Sequence, residues 1–208
     1  MKKTCIALAL LSVCALSAQW QAKVAENEKS IELSCDSVKF DAKKKPQKVF
    51  PMVLEGLWIQ KTFDLTQLPP DWRTGIREAS LRIYCFVADQ SVAVRKLPQL
   101  NGLTEELELF VAGKPIKVLM SDKTFRGWWN WASIPIPVEA VTGDQLVVRL
   151  HKVKSSTNDD FFYLGIDHDE NPVASRVSID NGKHFIVESK KHLAGLKGEF
   201  VIRLVLSR

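Results

Sequence analysis

The sequence predicts an all-β fold, an antiparallel β-sandwich of about ten strands. Three observations carry this. Short runs alternate apolar and polar residues with the period of two that turns one strand face to a core and the other to water. Residues 107–150 hold three such runs, separated by Gly113-Lys114-Pro115, by a segment with Trp128, Trp129 and Trp131, and by Gly143-Asp144. No long stretch of helical period lies between the runs, so strands joined by crossover helices are excluded and antiparallel pairing remains.

The first 18 residues read as a secretory leader. Lys2 and Lys3 make a basic start, residues 6–16 are apolar and uncharged, and Leu16-Ser17-Ala18 offers a small-residue cleavage site before Gln19. The apolar run falls short of the roughly 20 residues of a membrane span. Leu11-Ser12-Val13-Cys14 also resembles a bacterial lipobox, which would lipidate Cys14. Val13 departs from the small residue usual before that cysteine, so simple cleavage is preferred. The expected location is secreted or periplasmic, with no membrane span.

Residues 19–30 are polar and aperiodic and are expected to form a flexible lead, with the sandwich occupying 31–208. Ile31, Leu33 and Cys35 alternate with Glu32, Ser34 and Asp36, and Val38 and Phe40 resume out of phase, as at a bulge. Residues 43–51 read as a basic, Pro-bounded loop, and 53–63 as a strand broken near Gly56. Pro69 and Pro70 fix φ and remove two donors, so 68–72 is a loop with one short helical turn at Asp71. Residues 79–87 are apolar at nearly every position, as in a central strand, and 92–97 make a short strand ending at Pro98. Leu107, Leu109 and Val111 share one face; Ile116 and Val118 continue after the turn. Leu146, Val148 and Leu150 alternate with Val147 and Arg149, and 161–166 is a short aromatic strand. Runs at 173–179 and 184–187 flank Asp180-Asn181-Gly182-Lys183, and Asn-Gly between β-prone runs is a strong hairpin signal. One short helix is expected at 190–193, and Phe200, Ile202, Leu204 and Leu206 close the fold.

The chain carries 29 Lys and Arg against 24 Asp and Glu, a net charge of +5, of which Lys2 and Lys3 leave with the leader. Only Lys43-Lys44-Lys45 and Lys190-Lys191-His192 are clustered. Both read as solvated loops, and no nucleic-acid partner is expected. Of 4 cysteines, Cys35 and Cys85 lie beyond the leader. They form a candidate disulfide in an oxidising compartment, and they fit equally as plain core thiols.

Several segments together resemble the galactose-binding-like jelly rolls. These segments are Phe63-Asp64-Leu65 before its loop, the Ala79-Ser80-Leu81-Arg82-Ile83 strand, the turn within 108–116, residues 131–137, and Val141-Thr142-Gly143-Asp144 feeding a strand. Such sandwiches serve as sugar-binding and accessory domains beside bacterial glycoside hydrolases and lyases. The resemblance covers residues 31–206. It implies a sandwich of jelly-roll type and, as partner, a glycan or polysaccharide or an envelope protein. Ala112 stands where that turn often has Asn, and Asp144-Gln145 replaces a Gly-Asn spacing. Members differ in ligand, so the fold assigns none. Residues 178–185 resemble an Asp-box with Phe185 in the Trp position. One copy excludes a propeller. The resemblance implies structural roles for Asp180 and Gly182, with Asp180 accepting backbone N–H bonds as an Asx turn does.

Trp128-Trp129-Asn130-Trp131 is the segment suited to binding. Indole faces stack on the apolar face of a pyranose, and Asn supplies a hydroxyl partner. Trp129 and Trp131 share one strand face and are expected in the core, leaving Trp128 and Asn130 as candidate ligand residues. Trp72, in its loop, and Trp58 are further candidates. Asp159, Asp160, Asp167 and Asp169 are candidate ligands for a structural Ca²⁺. Residues 167–171 begin like an EF-hand loop, but Pro172 and Ser178 then stand where Gly and Glu are needed, so solvated turns are the plainer reading. Serine-hydrolase, P-loop and HExxH motifs are absent, and His151, His168, His184 and His192 are scattered. The expected function is a non-catalytic carbohydrate-binding or accessory interaction domain without a cofactor. A small sandwich-fold lyase or hydrolase and a structural envelope protein are the alternatives.

Overall fold

The structure is a computed structural model that describes residues 20–25, 27–36, 48–51, 56–89, 104–121, 129–152, 160–167, 174–186 and 198–208. The leader with Cys14, the runs expected at 38–40, 43–45, 92–97 and 190–193, and Trp128, Asp159, His168, Asp169 and His192 lie outside these residues.

Thirteen strands in two antiparallel sheets form the described chain, an all-β sandwich. β1 (Gln21–Val24), β2 (Ser30–Ser34), β3 (Lys48–Pro51), β5 (Glu78–Asp89), β8 (Asn130–Ile136), β10 (Asp160–Asp167), β12 (Glu199–Phe200) and β13 (Ile202–Ser207) make the eight-stranded sheet. β4 (Trp58–Asp64), β6 (Thr104–Val111), β7 (Lys114–Ser121), β9 (Gln145–Lys152) and β11 (Ser175–Ser178) make the five-stranded sheet, ordered β11-β4-β9-β6-β7. From β3 onward the chain crosses repeatedly between the sheets, so neither is a simple meander.

The period-two pattern sets the core. Ile59 and Phe63 of β4, Leu109 and Val111 of β6, and Leu146, Val148 and Leu150 of β9 face Leu33 of β2, Leu81 and Ile83 of β5, and Leu204 and Leu206 of β13, all buried. Each such side chain contributes about 1.5–3 kcal/mol of burial. β5 is central, as its apolar sequence predicts: β13 and β10 pair on it, and so does β8.

Three expectations change, and the open choice at the two cysteines is decided. The aperiodic lead contains β1, paired in register with β2. All four β1 side chains are exposed, so its backbone bonds leave no alternation to read. Lys48–Pro51 is not loop but β3, paired with β10. Pro115 lies in the edge strand β7 rather than the turn, which is Ala112-Gly113 at φ +48° and +81°. Two left-handed residues make a turn whose twist suits a hairpin, though alanine holds that conformation at a cost of about 1–2 kcal/mol. Finally, Cys35 and Cys85 are free and buried. β13 lies between β2 and β5, so the two cysteines stand at least two strand spacings apart, about 9.6 Å. A disulfide needs Cα atoms within roughly 4.4–6.8 Å. Burial raises both thiols, Cys35 to about 12, which keeps them protonated.

One charged network sits inside the core. Lys61 points inward from β4, and its Nζ donates to Glu199 Oε2 at 2.6 Å and to the Phe200 carbonyl at 3.0 Å. Glu199 also accepts from Ala174 N at 2.8 Å and Ser175 Oγ at 2.5 Å. Side-chain exposure is 1% and 0% for the pair. Burial alone would lower Lys61 and raise Glu199. Glu199, joined by Cys35 only at the high pH where its thiol ionises, outweighs it for the lysine, which ends above its ordinary value, and Lys61 outweighs it for Glu199, which ends below.

Candidate functional site

The outer face of the eight-stranded sheet gathers aromatic rings. Tyr84 and Phe86 alternate outward on β5, Trp131 faces Tyr84 across β8, and Tyr163 faces Phe86 across β10. Trp129 lies over both, with ring centroids 5.4 Å from Tyr84 and 5.9 Å from Phe86. Tyr84–Trp131 and Phe86–Tyr163 continue the row at 5.2 and 5.9 Å. Gly165 makes the row possible, because a Cβ there would come within 2.8 Å of the Tyr84 ring and 3.6 Å of Trp129. Tyr84 is buried by its neighbours, whereas Trp129, Phe86 and Tyr163 are half-buried. Burial raises the Tyr163 phenol above its ordinary value, so it is neutral at physiological pH.

One end of this row is tied by charge. The guanidinium groups of Arg82 and Arg203 each lie 4.7 Å from the Trp131 ring centroid. Glu32 bridges both arginines at 2.9 and 2.7 Å, and Asp36 holds Arg203 at 2.6 Å. Trp129 and Trp131 are therefore not in the core between the sheets. Both stand on the outer surface, half-buried under other side chains. The exposed Asn130 turns its carboxamide to its own backbone and accepts from Trp131 N at 2.8 Å.

Two sequence candidates are spent on structure. Trp72 is 2% exposed, packed in the core with Arg208 4.0 Å over its ring. The proline-rich loop folds into a 3-10 turn, Pro70–Trp72, that directs the indole inward, so this ring offers no stacking face. Trp58 is on the outer face of the five-stranded sheet. His151 of β9 stacks on it at 3.9 Å and 16°, and a Cβ on Gly182 would meet the indole at 3.2 Å. Its Nε1 donates to Asn181 Oδ1 at 3.1 Å. The indole is the seat of the 178–185 hairpin rather than an open platform.

Within that hairpin Ser178 Oγ donates to Asp180 Oδ1 at 2.6 Å and accepts from Gly182 N at 3.0 Å. Asp180 Oδ1 accepts from His184 N at 3.0 Å, a backbone bond four residues on rather than the two of an Asx turn. Bonds from Ser178, then from the backbone and ring of His184, hold the Asp180 carboxyl well below the usual carboxylate range. Asn181 and Gly182 take φ +61° and +75°, as the turn requires.

Of the candidate metal ligands, Asp160 opens β10 and Asp167 closes it, buried and paired in register with Glu199. The two are thus at opposite ends of one strand, and no cluster of three metal-ligating side chains occurs among the described residues. A cleft of about 290 Å³ at one end of the sandwich is walled by Leu65, Leu68, Ile76 and Val141, with Arg73 and Asp144 at its rim. No described helix is long and apolar enough to cross a membrane.

Fold and surface define the class, an antiparallel β-sandwich with an aromatic outer face. No family model matches the chain, and no curated protein matches it. The aromatic row was half legible: Trp129 and Trp131 stood out in sequence, but their partners Tyr84, Phe86 and Tyr163 come from strands far apart in the chain.

Proposed function

We propose that the chain is a secreted or periplasmic, non-catalytic carbohydrate-binding domain that takes its glycan on the aromatic face. The observation that supports this is the row of rings on one outer face, with Trp129 and Phe86 half-buried at its centre. Half-exposed rings present flat apolar area to pyranose C–H groups at little entropy cost. The arginine–carboxylate cluster of Arg82, Arg203 and Glu32 borders the rings with hydroxyl partners. The arginines also hold Trp131 in place, so the platform is set before ligand arrives.

A glycan array with the protein and its Trp129→Ala variant tests this. Stacking on one aromatic ring is worth about 1–3 kcal/mol, so Trp129→Ala is expected to weaken binding roughly tenfold or more. Equal binding by the variant, or no glycan retained by the wild type, sinks the reading.

A further inference from the structure

The opposite face has a different composition. Arg176 on β11, Gln60 on β4, Arg149 on β9 and Phe110 on β6 are direct partners in one row across four strands. Their side chains alternate with inward core residues, so the row faces outward. Arg149 donates from Nε to Gln60 Oε1 at 2.9 Å and lies 4.7 Å over the Phe185 ring. Arg176 is braced by a 3.0 Å bond from Nη1 to the Ser175 carbonyl. Both guanidinium groups are thus positioned, and neither has a carboxylate partner among the described residues. Among the described residues on this face, Glu108 is engaged with His151 at 2.8 Å and Asp180 with Ser178 and His184. Lys183 in the adjoining hairpin is exposed and adds a further cation.

We infer that this face binds a linear acidic polysaccharide, carboxylated or sulfated, through Arg149 and Arg176. The two arginines stand two strand spacings apart, about 9.6 Å between Cα atoms, comparable to a disaccharide. Gln60 between them offers an amide to sugar hydroxyls. Arginine suits such anions because its planar fork makes paired, charge-assisted hydrogen bonds. A linear array of fixed cations with an amide between them matches a polymer of regular repeat, whereas a fluid lipid surface demands no such register. This inference uses the face away from the aromatic row and is independent of the glycan reading there.

The test is binding of the full chain to polygalacturonate and to heparin at low and high salt, with Arg149→Gln/Arg176→Gln, Arg149→Lys/Arg176→Lys and Trp129→Ala variants. Unfolding midpoints of all variants are measured in parallel. The double Gln variant is expected to bind at least about tenfold more weakly, the double Lys variant less weakly than that, and Trp129→Ala as well as wild type. Salt should weaken the wild-type interaction. The inference is overturned if the double Gln variant, folded, binds as wild type does. It is equally overturned if wild type prefers anionic vesicles or duplex DNA to both polysaccharides. A loss seen only with Trp129→Ala would assign acidic glycans to the aromatic face instead.

Discussion

On the eight-stranded face, Arg82 and Arg203 lie over Trp131 and share Glu32, with Asp36 completing the cluster. On the five-stranded face, Arg149 lies over Phe185 and shares the neutral Gln60, while Arg176 leans on a carbonyl. Each face therefore has two arginines and several rings. What differs is the neighbour across the strand. β2 supplies Glu32, with Asp36 just beyond it, whereas β4 supplies an amide between β11 and β9. The rings differ in their neighbours rather than in exposure: Trp58, half-buried like Trp129 and Phe86, stacks on His151 and seats Gly182, whereas Trp129 and Phe86 stack on each other and on tyrosines. One face has neutralised its cations and kept ring surface. The other stacks its largest ring on a histidine and a hairpin and, among the described residues, keeps its cations without carboxylates. The interior pair Lys61–Glu199 completes a gradient from full burial to full hydration, along which the structural worth of a charge should fall.

The largest effect is expected inside. Lys61→Met leaves Glu199 buried without its cation and should cost about 3–5 kcal/mol, read as a lowered denaturation midpoint in urea. A loss below 1 kcal/mol would break the gradient at its steepest point. The same pair sets a pH window. Glu199 is lowered in the folded state, so its contribution is complete above its ordinary value of 4.5 and is lost as pH falls through the folded one. Lys61 is raised, so its contribution is complete below 10.5 and is lost as pH rises through the folded one. Unfolding measured across pH should show a plateau from 4.5 up to 9.0, the ordinary value of Cys35 and Cys85, above which the raised, buried thiols begin to cost stability before Lys61 does.

Arg203→Gln tests the half-buried cluster. It strips the 4%-exposed Asp36 of its cation and should cost about 1–3 kcal/mol, checked by thermal unfolding. The near-ultraviolet circular dichroism of the indoles should change with it, because Arg203 covers Trp131. An unchanged spectrum would show that the rings hold themselves in place.

A smaller gain is expected at the hairpin joining β6 and β7. Ala112→Asn replaces a residue strained at φ +48° with one that tolerates it, and should stabilise by about 0.5–1 kcal/mol. A destabilised variant would show that the turn geometry is set by the strands alone. The smallest effect belongs to the exposed face: Arg149→Gln and Arg176→Gln should each change stability by no more than about 0.5 kcal/mol. A larger loss would make these arginines structural and erase the contrast between the faces.

Much of the strand layout was readable from the chain. Alternation at 58–64 and 145–150, the apolar run of β5 and Asn181-Gly182 follow from local chemistry, because a strand's period and a turn's φ depend on near neighbours. The same holds for Asp180, whose partners lie within four residues. β1 was not readable, since an edge strand with no buried side chain is made by backbone bonds to its partner. Trp72 and Trp58 could not be placed from sequence either, because an indole fits a core and a binding face equally and only its packing partners decide.

By itself the sequence determined that this is an all-β protein, where most strands run, and which residues must turn; these are consequences of side-chain period and backbone sterics. Tertiary structure alone decided that β13 separates the two cysteines, that Lys61 meets a carboxylate 138 residues away, and that five rings from three strands and one connection share a face. Such meetings depend on strand order and register between distant segments, and nothing in a segment's own composition encodes its neighbour.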